Sequence, residues 1–256
     1  MKFIILGCGS SMGIPRSDGF YGKCNPNNKK NHRSRCSAII KTKNETILID
    51  TSPDLRQQFL NNNIKKIDKV FYSHMPADQT HGINDLRVFY IQKKKPIPVF
   101  ADNPTKKYLL KTFKYCFVSS SKEYPATLKL NSIHNKLSIS DNKKKIYIQP
   151  IKVKHGNVNS ICYIIDKRLA YISDVSFISK KNFKYFENLE YLIIDCLWLR
   201  YHPSHLNLEN TLKYVALFKP KKTILTNLHS DLDYDFLRKI LPKNIIPAFD
   251  GLNFNL

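Results

Sequence analysis

The chain has 256 residues, with 42 Lys and Arg against 20 Asp and Glu, a formal net charge of +22. Its 42% hydrophobic and 12% aromatic residues supply enough apolar side chain for a substantial core, which excludes an intrinsically disordered tail protein. No apolar run approaches the ~20 residues of a membrane span, and the apolar stretch after Met1 is too short for a signal peptide, so a cytoplasmic protein with no membrane partner is expected.

In chain order, residues 3–6 read as a short buried strand that enters the Gly-rich turn 7–13. Gly7, Gly9 and Gly13 miss the dinucleotide-binding spacing by one residue, which argues against a nucleotide cofactor there. Residues 16–36 are polar and basic. Residues 37–41 and 46–50 flank the turn Lys43-Asn44-Glu45 and predict a hairpin. A helix is predicted over 53–60, with Pro53 in its first turn and Asp54 near its N-terminus. Residues 70–72 form a strand that runs directly into Ser73-His74, and helices follow over 81–90 and 105–117. Segments 146–154, 161–165, 169–172, 191–195 and 223–226 are β-like, and 206–218 has helical period with Asn207 as its N-cap. No Gly/Ser-rich or Pro-rich linker divides the chain and no repeat is evident, so residues 1–256 are read as one domain.

The six cysteines are scattered, which fits neither a disulfide framework nor a zinc ribbon. Cys116, Cys162 and Cys196 lie in apolar runs and read as small buried hydrophobes. The lysine excess has two explanations: attraction of an anionic partner (nucleic acid or a small anionic substrate), or the codon usage of an AT-rich genome, which also favours the abundant Asn and Ile.

One pattern recurs: an apolar strand stops and a His or Asp follows. His74, Asp78, His81, His155, Asp174, His205 and His229 all lie at such strand ends or at helix starts. Imidazole nitrogen and carboxylate oxygen are the ligand set of Zn²⁺, Mn²⁺ or Fe, and a catalytic ion needs only three of them with one position open. The architecture that gathers many such loops along one edge is a pair of mixed sheets with helices outside.

The run Ser73-His74-x-x-x-Asp78-x-x-His81-Gly82-Ile83-Asn84-Asp85-Leu86-Arg87 resembles the signature of metallo-β-lactamase-fold hydrolases. Further stretches match, in order, the branch that contains the cyclic phosphate phosphodiesterase of phosphonate breakdown. They are residues 6–15, Arg35-Cys36-Ser37, Ile49-Asp50-Thr51-Ser52-Pro53-Asp54, His155-Gly156, Ile172-Ser173-Asp174, His202-Pro203-Ser204-His205, Leu225-Thr226-Asn227 and Phe249-Asp250-Gly251. The resemblance implies an α/β fold, a four-layer αββα sandwich of two mixed sheets flanked by helices. It makes His74 and His155 ligands of a first metal, Asp78 the acid of a second, Asp174 the bridging carboxylate, and His205 the group that protonates the leaving oxygen.

The chain departs from the family motif His-x-His-x-Asp-His, with Pro76 in place of the second His and Gln79 in place of the last. Asn227 stands where the final histidine ligand usually follows Leu-Thr, and His229 is the nearest imidazole to replace it. Gln79 and Asn227 are read as weak oxygen donors to the second ion, a set that favours Mn²⁺ or Mg²⁺ over Zn²⁺. Only Cys24 remains of the cysteines that hold a structural zinc in some relatives, so no such zinc is expected. His81 reads either as a ligand or as the hydrogen-bond partner of one, His202 as a loop residue, and Arg87 as pairing with Asp54 or Asp85 or holding a phosphate. His32 and His134 are assigned no role. The resulting expectation is a metal-dependent hydrolase of a small or cyclic phosphodiester, using one divalent ion (Zn²⁺ or Mn²⁺) or two. His74, Asp78, His155, Asp174 and His229 are its metal-site residues, and Asp78 and His205 its catalytic groups. A homodimer is compatible with this reading. The alternatives are a non-catalytic binding protein with a decayed site and an RNA-processing nuclease of the same fold.

Overall fold

The structure, a computed structural model, describes residues 1–133, 136–142 and 144–256, so His134 lies outside the described residues. Its strands are β1 (Lys2–Gly7), β2 (Ser37–Lys41), β3 (Thr46–Ile49), β4 (Lys69–Phe71), β5 (Ile97–Ala101), β6 (Leu128–Ser132) and β7 (Leu137–Asp141), then β8 (Lys144–His155), β9 (Val158–Ile165), β10 (Leu169–Ile172), β11 (Tyr191–Asp195), β12 (Lys222–Thr226), β13 (Ile245–Pro247) and β14 (Asn253–Asn255). They form two seven-stranded sheets, in the orders β14-β1-β2-β3-β4-β5-β6 and β7-β8-β9-β10-β11-β12-β13. Read in those orders, each sheet makes three antiparallel pairings followed by three parallel ones. The halves therefore repeat one topology, a likeness the sequence does not display.

Period-two alternation builds the layers. Phe3 and Ile5 face inward with Ile40, Ile47, Ile49 and Phe71, and meet Ile148, Tyr163, Tyr171, Ile193 and Ile224 of the other sheet. Ile4, Leu6, Leu48 and Val70 face outward under the helix residues Leu55, Phe59, Phe89 and Leu109. On the opposite side Ile172, Ile194 and Leu225 pack beneath Val215, Phe218 and Leu237. Central strands buried on both faces read as the continuous apolar runs seen in the sequence, and burying each such side chain stabilises the fold by roughly 1.5–3 kcal/mol. The result is the expected αββα sandwich. No helix among the described residues is long and apolar enough to cross a membrane. All six cysteines are buried and free.

The helix expected over 81–90 is broken. The chain forms a short helix at Ala77–Thr80, a 3₁₀ turn at Ile83–Leu86 and a helix at Arg87–Lys93. The cause is Gly82, whose N–H donates to Thr51 O at 2.9 Å and whose missing side chain lets Ser52 approach. A Cβ at residue 82 would lie 2.0 Å from Ser52 O. Gly82→Ala is expected to cost about 3 kcal/mol of stability, measured by urea denaturation, because backbone must move to relieve the overlap.

Arg87 is exposed and makes no ion pair among the described residues, since Asp54 pairs with Arg35 instead. Asp54 Oδ2 accepts from the Arg35 backbone N–H at 2.9 Å and from its Nε at 2.7 Å. Burial opposes ionisation of Asp54, but these contacts outweigh it and hold the carboxyl below its ordinary range. A depressed carboxylate stabilises the fold above its unfolded pKa, and that stability is lost as pH falls through the folded value. Asp54→Ala is therefore expected to cost about 2 kcal/mol at neutral pH and much less near pH 3, as read from denaturation at both pH values.

Candidate metal centre

The site lies along one edge of both sheets, past β3 and β4 of one and at the ends of β8, β10 and β11 of the other. Asp50, just past β3, is buried, and its Oδ1 accepts the Ser73 backbone N–H at 2.7 Å. That bond fixes the chain leaving β4 so that His74 follows at the sheet edge. Thr51 adds a second tie: its N–H donates to Gln79 O at 2.8 Å and its hydroxyl to Thr80 O at 2.9 Å. Loop 73–80 is thus braced from β3.

His74 is buried, with Nδ1 at 3.0 Å from Ser73 Oγ and Nε2 without any partner. Burial lowers its pKa to about 4, so the ring is neutral, and in the tautomer whose Nδ1–H donates to Ser73 Oγ the Nε2 lone pair is free. His155 ends β8; its Nδ1–H donates to Ser204 O at 2.6 Å, which leaves Nε2 as its free nitrogen. Asp174 follows β10 by two residues and is buried. One ligand atom from each of His74, His155 and Asp174 lies within 4.8 Å of the others. Ligands on one ion at bonds of ~2 Å stand about 3–4 Å apart, so modest side-chain rotation completes such a site. A buried imidazole nitrogen with no partner is costly unless something binds it. The residues present fit one divalent cation.

His205 stands beside this group, its ring centroid 4.5 Å from that of His155. Its Nδ1–H donates to Asp195 Oδ2 at 2.8 Å, leaving Nε2 as its free nitrogen. Burial disfavours the charged ring, but Asp195, with Asp174 and Asp78 beyond it, raises its pKa to about 9. Asp195 ends β11, is fully buried, and also accepts the Val175 N–H at 3.0 Å. Its supporting role was not read from the sequence, although the signal was there: an apolar strand that stops at an acid, as β3 does at Asp50. Asp78 has its pKa raised to about 6 by burial and by the nearby Asp174.

The structure arranges the remaining expected residues differently. His229 is not brought to the ligand group: its ring packs on Trp198 with centroids 4.7 Å apart, and its Nδ1 accepts the Asp231 N–H at 3.2 Å. Gln79 and Asn227 turn their NH₂ groups, not their oxygens, toward the carboxylates. Gln79 Nε2 lies 3.2 Å from Asp174 Oδ2, and Asn227 Nδ2 lies 3.4 Å from Asp174 Oδ1. His81 is exposed, bonds Tyr108 OH at 3.0 Å and packs edge-on to Phe113, so it is neither a ligand nor the partner of one. His202 Nδ1 accepts the Ser204 N–H at 3.3 Å and buttresses its own loop. His32 bonds Pro26 O at 2.9 Å.

The sequence pattern of the beta-lactamase superfamily domain matches residues 45–227, and the chain belongs to that superfamily, the metallo-β-lactamase-fold hydrolases. Among solved structures, one described as a new diphosphatase from the PhnP family is 29% identical, covers 99% of this chain and 97% of its own, and superposes with a TM-score of 0.88. Zn²⁺-bound PqqB from Methylobacterium extorquens (15% identity, full coverage of both chains, TM-score 0.79) and the short form of human tRNase Z (15% identity, 100% and 99% coverage, TM-score 0.70) share the fold. An octanoyltransferase from Porphyromonas gingivalis is 28% identical over 98% of this chain, which spans about half (51%) of that protein's length.

Proposed function

We propose that this protein is a metal-dependent phosphodiesterase acting as one domain on a small anionic phosphodiester. The observation that carries this reading is the convergence of His74, His155 and Asp174 beside the His205–Asp195 pair, from positions spread over 132 residues of chain (His74 to His205, counted inclusively). Likeness to a PhnP-family diphosphatase over nearly the whole chain supports it.

In this reading His74, His155 and Asp174 hold the cation. A divalent ion there supplies Lewis acidity toward a phosphoryl oxygen and lowers the pKa of water. Asp78, poised near pH 6, accepts the proton of the attacking water. His205 carries a proton at neutral pH and delivers it from Nε2 to the leaving oxygen, while Asp195 fixes its tautomer and stabilises its charge. The excess of Lys and Arg draws the anionic substrate in. A non-catalytic role is disfavoured because these groups are not only present but hydrogen-bonded into mutually useful orientations.

The test is the metal content of protein purified without chelator, followed by hydrolysis of bis(p-nitrophenyl) phosphate and of 2′,3′-cyclic nucleotides with added Mn²⁺ or Zn²⁺. Metal-stimulated turnover that is lost on chelation is expected. Protein that neither binds a divalent ion nor turns over any of these esters would overturn the reading.

A further inference from the structure

Given the metal-dependent reading of the site, on which this inference rests, we infer that the amides of Gln79 and Asn227 replace a second cation and make this a one-ion centre. Each NH₂ group sits between two carboxylates. Gln79 Nε2 faces Asp174 Oδ2 at 3.2 Å and Asp78 Oδ2 at 3.4 Å. Asn227 Nδ2 faces Asp174 Oδ1 at 3.4 Å and Asp195 Oδ1 at 3.3 Å, with His205 Nδ1 at 3.1 Å.

The orientation of both amides follows from chemistry. An ionised carboxylate only accepts, so turning either amide over would press its oxygen against two carboxylates; this outweighs the unpartnered Gln79 Oε1 and, at Asn227, the approach to the His205 Nδ1–H. Both residues are buried, Gln79 at 1% and Asn227 at 3% exposure, so water does not supply the missing donors. The carboxylates Asp78, Asp174 and Asp195 therefore share two neutral donors where a region of such negative charge would otherwise attract positive charge. Each oxygen of Asp174 faces one of these amides and keeps a further lone pair, while His74 Nε2 has no partner among the described residues. The remaining lone pairs of Asp174, together with that imidazole nitrogen and His155, are left for one cation. An amide NH₂ has no lone pair to give a metal, so it occupies the place of a ligand without serving as one.

This assigns Gln79 and Asn227 as positioning residues. They hold the Asp174 and Asp78 carboxylates in place whether or not the first cation is bound, the task a second ion would perform.

The experiment counts Mn²⁺ bound per chain, by isothermal titration and by elemental analysis after desalting, in the wild type and in Gln79→Glu/Asn227→Asp. That double variant turns each donor into an acceptor of nearly the same shape. About one equivalent is expected in the wild type and about two in the variant, since two more carboxylates leave the pocket without donors and rich in oxygen ligands. Two equivalents in the wild type would overturn this inference while leaving the hydrolase reading intact. None in the wild type would overturn both. A folded double variant that still binds one would show that the amides are not what excludes the second ion. Should the double variant fail to fold, the single variants Gln79→Glu and Asn227→Asp are counted in the same way, and a count unchanged from the wild type in both overturns the inference.

Discussion

Asp174→Ala is expected to lower phosphodiester turnover by about a thousandfold or more, equivalent to ~4 kcal/mol of barrier, and to remove bound metal. Asp174 is the only carboxylate in the three-residue ligand group, so its loss leaves two neutral imidazoles to hold a dication. It also strands the Gln79 and Asn227 donors, which lose one of their two acceptors. Asp174→Asn separates charge from shape. It keeps the volume but offers only one oxygen to the two amides, so its own NH₂ must face another donor, and it too is expected to lose metal. Turnover within tenfold of wild type in either variant would place the activity elsewhere on the molecule or in a contaminant.

The second large effect is expected at His205. His205→Gln should slow hydrolysis of an ester with an alkoxide leaving group by about a hundredfold to ten-thousandfold, the usual range for a positioned general acid. With a p-nitrophenolate leaving group, which departs without a proton, the same change should cost less than about tenfold. That contrast distinguishes proton delivery from a structural contribution, because a misfolded site would slow both esters alike. Asp195→Asn should behave similarly but more mildly: the imidazole stays in place, its tautomer no longer fixed and its charge no longer stabilised. An equal loss on both esters would sink the assignment of His205 as the acid.

Much of this site was readable before any coordinates, for a physical reason. A strand buried on both faces must be a run of apolar residues, and the polar residues that end it mark the sheet edge, as Asp50, Ser173-Asp174 and Asp195 do. What escaped depends on contacts made across the fold. The break at Gly82 comes from Ser52, thirty positions earlier, and no local periodicity encodes it. Gln79 and Asn227 look like ligand substitutes in a linear motif. Only the carboxylates around them decide which end of each amide points inward. His229 lay two residues from Asn227 and seemed near enough to replace it, but Trp198 claims its ring. Arg33, one of the basic residues in the polar segment 16–36, is almost wholly buried and ties Leu232 O at 2.8 Å, a fate that composition alone misrepresents.

The repeated topology of the two sheets has a mechanical consequence. The proposed ligand His74 follows a strand of the sheet that starts the chain, while His155 and Asp174 lie at strand ends of the other. At that edge the apolar filling between the sheets gives way to polar side chains, so hydrophobic contact no longer clamps the halves together there. A cation held from both sides would be a rivet through the open end of the sandwich. Metal loading would then tie the two halves together, and by mass action an ion at a hundred times its Kd would add about 2.7 kcal/mol to the stability of the folded state.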